Sequence, residues 1–197
     1  MFDFITETIV QFGALGIAVL MFAENIFPPI PSELILPLAG YLVADGQMNA
    51  LTVMVAAQIG TLAGAMPWYW AGQKLGKGRL LDLADRHGRW LTVTRAEMER
   101  AFAWFDRNEN RAVFLARLVP GLRTVISLPA GMAHMPLTRF LALSAAGSLI
   151  WTAVLLAAGF VLQANYARVG AWMDMVVNVA LIGLVGVYVW RLIRWRT

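Results

Sequence analysis

Four apolar stretches, at about residues 14 to 44, 48 to 73, 112 to 162 and 171 to 190, limit this chain more than any other feature. A hydrocarbon core about 30 Å thick takes roughly 20 apolar residues of helix to cross, and each stretch is that long. With 59% hydrophobic and 14% charged residues and a mean hydropathy of +0.64, the sequence lies outside the soluble range and predicts an all-α integral membrane protein. It has no cysteine, which excludes disulfides and thiolate metal sites. Its first residues, MFDFITETIVQF, carry Asp3 and Glu7 where a secretory signal would carry basic residues, so this segment is expected to remain on the protein.

The sixteen Lys and Arg residues are unevenly placed. None precedes Lys74, nine fall between Lys74 and Arg111, and Arg191, Arg194 and Arg196 close the chain. The positive-inside rule puts 74–111 and the carboxyl terminus in the cytoplasm and the amino terminus outside. The net charge of +4 thus reports topology, and nucleic acid is not an expected partner because Asp82, Asp85, Glu97, Glu99, Asp106 and Glu109 interleave with the basic residues.

With both basic regions on one side, the number of crossings between them is even. Spans at 137–162 and 171–190 supply two, so residues 112–135 must enter the bilayer and return on the same side. Pro120, Gly121 and Pro129 supply the breaks of such a re-entrant hairpin. Residues 14–44 are interrupted likewise by Pro28, Pro29 and Pro31 and predict a first hairpin entering from the other face. A span at 48–73 follows it. Residues 77–111 are expected as cytoplasmic amphipathic helices, with a Thr94/Glu97 capping box and an apolar stripe of Met98, Ala101, Phe102 and Phe105. Trp68, Trp70, Trp172 and Trp190 suit interfacial anchors, as does Tyr69, whereas Trp151 lies mid-span and reads as packing.

The two interrupted segments match weakly but in order. Pro29 and Gly40 fall opposite Pro120 and Gly131 at a common offset of 91, and Gly60 and Gly72 opposite Gly147 and Gly159 at 87. Each unit would be a hairpin followed by a span, in opposite orientations. Such an inverted repeat is typical of transporters, whose sites form where broken helices meet near the midplane.

Four charges lie within the hairpins: Glu24, Glu33, Arg117 and Arg123. Each costs roughly 2.5–3.5 kcal/mol at bilayer depth, so they need partners, water or a ligand. One reading is a pair of salt bridges that clamps the hairpins. The other is a site in which the arginine forks bind phosphate and the carboxylates carry protons or gate the arginines. Gly60, Gly64, Gly72 and Gly76 have small-residue spacing for close helix contact. His87 reads as solvated, His134 as a candidate relay, and Asp174 and Asn178 as facing the bundle or the outer interface. No zincin, nucleophile-elbow or P-loop pattern occurs, and neither a metal nor a cofactor is expected.

ENIFPPIPSE with the following LPLAG, GTLAG…YWAGQKLG, and RLVPGLRTVISLPAGMAHM are the motifs by which the chain resembles the DedA family of the VTT (SNARE-associated Golgi protein) superfamily, over roughly residues 10 to 190. The resemblance implies a bacterial inner-membrane protein of envelope homeostasis that moves undecaprenyl phosphate or another lipid phosphate. It also implies functional acidic positions at Glu24 and Glu33 and paired arginines at Arg117 and Arg123. The alternatives are a proton-coupled antiporter of small cations or drugs, a lipid phosphatase, and a scaffold whose charges only clamp the fold.

Overall fold

A computed structural model of the chain describes residues 2–26, 32–91 and 94–161. Pro28, Pro29 and Pro31, the expected span 171–190 with its flanking residues, and the side chain of His87 lie outside the described residues. Those described form seven helices and no strand: α1 (Phe2–Ile26), α2 (Ser32–Ala44), α3 (Ala50–Leu91), α4 (Arg95–Ala116), α5 (Leu122–Val125), α6 (Ser127–Met132) and α7 (Leu137–Val161). Three of them, over Ile5–Ile26, Ala50–Asp82 and Leu137–Val161, are long and apolar enough to cross a membrane. The 13 residues of α2 reach only about 20 Å, short of the hydrocarbon core.

The helices begin and end at places the apolar pattern alone does not mark. α1 starts at Phe2, well before residue 14, and bends at Gly13, whose φ of 56° and ψ of −131° interrupt the helix. α3 runs past residue 73 into the charged segment, with Gly76 at a φ of 67° marking the change. Likewise α4 passes through the boundary expected at 111/112. Its bend is at Asn108 (φ −129°, ψ 20°), whose side-chain amide donates to the Trp104 carbonyl at 3.1 Å. The helix opens with the reciprocal capping box of Thr94 and Glu97. Of its apolar stripe, Phe105 is buried against the bundle while Ala101 is exposed. Lys77 holds the α3 extension to α4 through Asp106 at 2.5 Å.

The second interruption falls between α4 and α5. Gly121 has a φ of 78°, left-handed geometry that favours glycine. Beyond it α5 and α6 are nearly one helix: Ile126 keeps right-handed helical angles, but Pro129 has no N–H to give the Val125 carbonyl. Pro129 therefore breaks the hydrogen-bond ladder without turning the chain.

Two apolar clusters form the interior. Ile5, Ile9, Ile17, Ile35, Leu36 and Val53 belong to one, and Tyr69, Phe105, Val113, Met135 and Phe140 to the other. Close backbone approaches join the elements crosswise. Gly40 of α2 lies against the Leu156 carbonyl of α7, and Gly159 of α7 against Pro37 of α2. Gly131 of α6 lies against the Tyr69 carbonyl of α3, and Gly72 of α3 against the Leu128 carbonyl of α6. A Cβ at any of these four would collide with backbone.

Tyr69 corrects the interfacial expectation: it is buried, stacked on Phe140 at 4.9 Å, and its hydroxyl donates to the Met135 carbonyl. Neighbouring helix residues point about 100° apart, so Trp68 and Trp70 face outward while Tyr69 faces the core. Trp68 donates to the Asn25 carbonyl at 2.8 Å.

Candidate functional site

Five elements bring Glu24, Glu33, Arg117 and Arg123 together. Glu24 comes from the last turn of α1 and Glu33 from the first turn of α2. Arg117 caps the carboxyl end of α4, Arg123 sits in α5, and α7 passes behind them. Gly147 of α7 allows that passage, since a Cβ there would meet the Arg117 Cβ and the Phe114 carbonyl.

The four charges converge but do not pair two by two. Arg123 takes both carboxylates: its Nη2 contacts Glu24 Oε1 and lies 3.6 Å from Glu33 Oε1. Arg117 has no carboxylate partner among the described residues, although it is 1% exposed. Its Nε donates to Ser144 Oγ at 3.2 Å, Nη1 to the Arg123 carbonyl at 2.8 Å and Nη2 to Ser127 Oγ at 3.2 Å. A guanidinium offers five N–H donors, so two remain. Phe140 lies under the Arg117 guanidinium at 5.5 Å and extends the Tyr69 stack to it.

Hydroxyls and an amide extend this centre. Ser148 Oγ lies 2.7 Å from the Ser144 carbonyl and 2.9 Å from Gln58 Oε1 of α3. Several buried polar atoms have no partner among the described residues, including Glu24 Oε2, Asn25 Oδ1, Ser32 Oγ, Thr61 Oγ1 and Trp151 Nε1. A native interior pairs the great majority of such atoms, so these are donors and acceptors that the described residues leave unused. Beside it, between α4 and α5–α6, lies an apolar groove of about 240 Å³ lined by Trp104, Leu115, Val119, Leu122, Val125 and Pro129.

Pro120 and Gly121 lie at the turn after Arg117, and Pro129 lies in the first turn of α6, where it lines the apolar groove. His134 takes a φ of 52° just after α6. Ser127, Ser144, Ser148 and Gln58 were not singled out by sequence. Ser144, Ser148 and Thr152 recur every four residues on α7, and that polar stripe in an apolar helix was the available signal. Among the described residues no group of His, Asp or Glu is arranged to hold a metal ion.

The family model for the VTT domain matches residues 30–161. A protein of Lactococcus lactis subsp. cremoris (strain MG1363) named "Alkaline phosphatase-like protein" is 36% identical over 93% of this chain and 87% of its own length. Two proteins named "Undecaprenyl phosphate transporter A" are also similar. That of Staphylococcus aureus (strain NCTC 8325 / PS 47) is 34% identical over 82% of this chain and 80% of its own. That of Bacillus subtilis (strain 168) is 30% identical over 85% and 77%. No solved structure matches the chain.

Proposed function

The chain belongs to the VTT domain (DedA) family, and from that premise we propose that it moves a phosphate-bearing lipid between the leaflets of the bacterial inner membrane. The observation that carries this reading is the Glu24–Arg123 contact, in which a buried guanidinium is held by an anionic group that a phosphate could replace. Arg117 and Arg123 hold the phosphate on this account, as bidentate donors suited to its oxygens. Glu24 and Glu33 gate Arg123 and exchange protons as the cargo takes their place. Relatives named undecaprenyl phosphate transporter A make a polyprenyl phosphate the first cargo to try.

The same reading makes the broken segments two re-entrant hairpins related as an inverted repeat. The crosswise glycine contacts support it, because the hairpin helix of each half packs on the long helix of the other at matching positions, Gly40 with Gly159 and Gly131 with Gly72. The apolar groove beside α5 gives the hydrocarbon chain a path next to the charged centre. The amino terminus lies outside and the basic segment after Lys74 lies in the cytoplasm.

Reconstitution of the purified protein in liposomes with a panel of phosphorylated lipids, under an imposed pH gradient, tests the proposal. Accelerated movement of a polyprenyl phosphate, sensitive to the gradient, is the expected result. Movement of a cationic dye in its place would establish the antiporter reading, and release of inorganic phosphate would establish a phosphatase. Either result overturns the proposal.

A further inference from the structure

Trp151 lies in the middle of α7, half-buried, with its ring packed on the cluster formed by α1, α2 and α3. Packing explains the ring but not its nitrogen. Indole Nε1 is buried and has no hydrogen-bond partner among the described residues. Tryptophan usually pairs its N–H when buried, so an orphan here needs a reason. The Arg123 guanidinium lies over the same ring, 5.9 Å from its centre. Glu24, which holds Arg123, keeps a buried and unpaired Oε2. A ring with an unused N–H donor therefore lies under a guanidinium that a displaceable carboxylate holds.

The next inference rests on the lipid-phosphate reading above. We propose that Trp151 Nε1 is a specificity donor of that site, giving a hydrogen bond to a phosphate oxygen when phosphate replaces Glu24 on Arg123. A carboxylate has two oxygens and can satisfy itself on a single arginine fork. A phosphate monoester has three terminal oxygens, whose acceptor capacity exceeds what the Arg123 fork and the two remaining Arg117 N–H groups supply. The ring that carries this N–H lies under the Arg123 guanidinium, and Glu24 does not use the donor. The same donor that is idle in the carboxylate-bound centre thus favours phosphate over a carboxylate of the same chain length.

The test measures binding of geranylgeranyl phosphate and of geranylgeranoic acid to the full-length protein in detergent, by calorimetry. Three forms are compared: the wild type, Trp151→Phe, and a protein with benzothienylalanine at position 151, which keeps the bicyclic ring and replaces the N–H by sulfur. The wild type is expected to prefer the phosphate. Both variants should lose about tenfold or more in phosphate affinity, the effect of one hydrogen bond to a charged group, with carboxylate affinity unchanged. Phosphate binding undiminished in both variants overturns the inference. So does a loss confined to Trp151→Phe, which would assign the effect to ring shape. A wild type that fails to bind the phosphate overturns the lipid-phosphate reading itself, and this inference with it.

Discussion

Arg123→Met removes the guanidinium that contacts Glu24 and lies 3.6 Å from Glu33, while keeping an unbranched stem in the same space. Taking one partner from a buried ion pair costs about 3–5 kcal/mol, because the other charge stays buried alone. Glu33 adds no more than about 1 kcal/mol, since its side chain is 22% exposed and water replaces part of what it loses. Glu24, with a side chain 3% exposed, sets the total. At roughly 2–4 °C per kcal/mol for a chain of this size, the unfolding midpoint should fall by about 6–20 °C. Glu24→Gln combined with Arg123→Met leaves neither charge of the pair and should recover most of the loss. Thermal unfolding of the wild type, both single variants and the double variant, followed by tryptophan fluorescence in detergent, gives the interaction energy. The expected value is about 2 kcal/mol or more. Losses in the double variant equal to the sum of the singles within about 0.5 kcal/mol would refute the shared buried pair.

Three further outcomes follow from the packing. Gly131→Val places a Cβ against the Tyr69 carbonyl and should destabilise the protein by about 1–3 kcal/mol or more, measured as a fall in the unfolding midpoint. Gly78→Ala, a helical site with nothing within 4 Å of its Cβ position, should be neutral or stabilising by up to about 1 kcal/mol in the same assay. Tyr69→Phe keeps the stack on Phe140 but removes the hydroxyl that donates to Met135 and accepts from Gln73 at 3.0 Å. It should cost about 0.5–1.5 kcal/mol in unfolding free energy. A larger loss would mean that the stack itself has shifted.

Helical class was legible because it rests on length and hydropathy, and α7 forms a helix over Leu137–Val161 inside the stretch read at 137–162. Helix ends were less legible. Through the bend at Asn108, α4 carries surface and buried residues in one element, and no apolar count marks where one environment gives way to the other. Glu24, Glu33, Arg117 and Arg123 stood out because a charge in an apolar stretch is expensive to bury, and they do converge. Their pairing could not be read. Charge balance suggested two bridges, whereas Arg117 is met by Ser127, Ser144 and a backbone carbonyl. Serine is cheap to bury when hydrogen-bonded and ordinary in a helix, so nothing in its identity announces an arginine partner. Tyr69 was misread because its neighbours are tryptophans. Its burial follows from the direction in which the α3 backbone points it.

On the lipid-phosphate proposal, Arg117 and Arg123 hold the phosphate as the lipid crosses the membrane. The most direct measurement is lipid-phosphate translocation in liposomes by purified wild type, Arg117→Ala and Arg123→Ala, each first shown to be folded by circular dichroism and a sharp gel-filtration peak. Translocation by the wild type and none by either variant is the expected result. Translocation at the wild-type rate by both folded variants would contradict it.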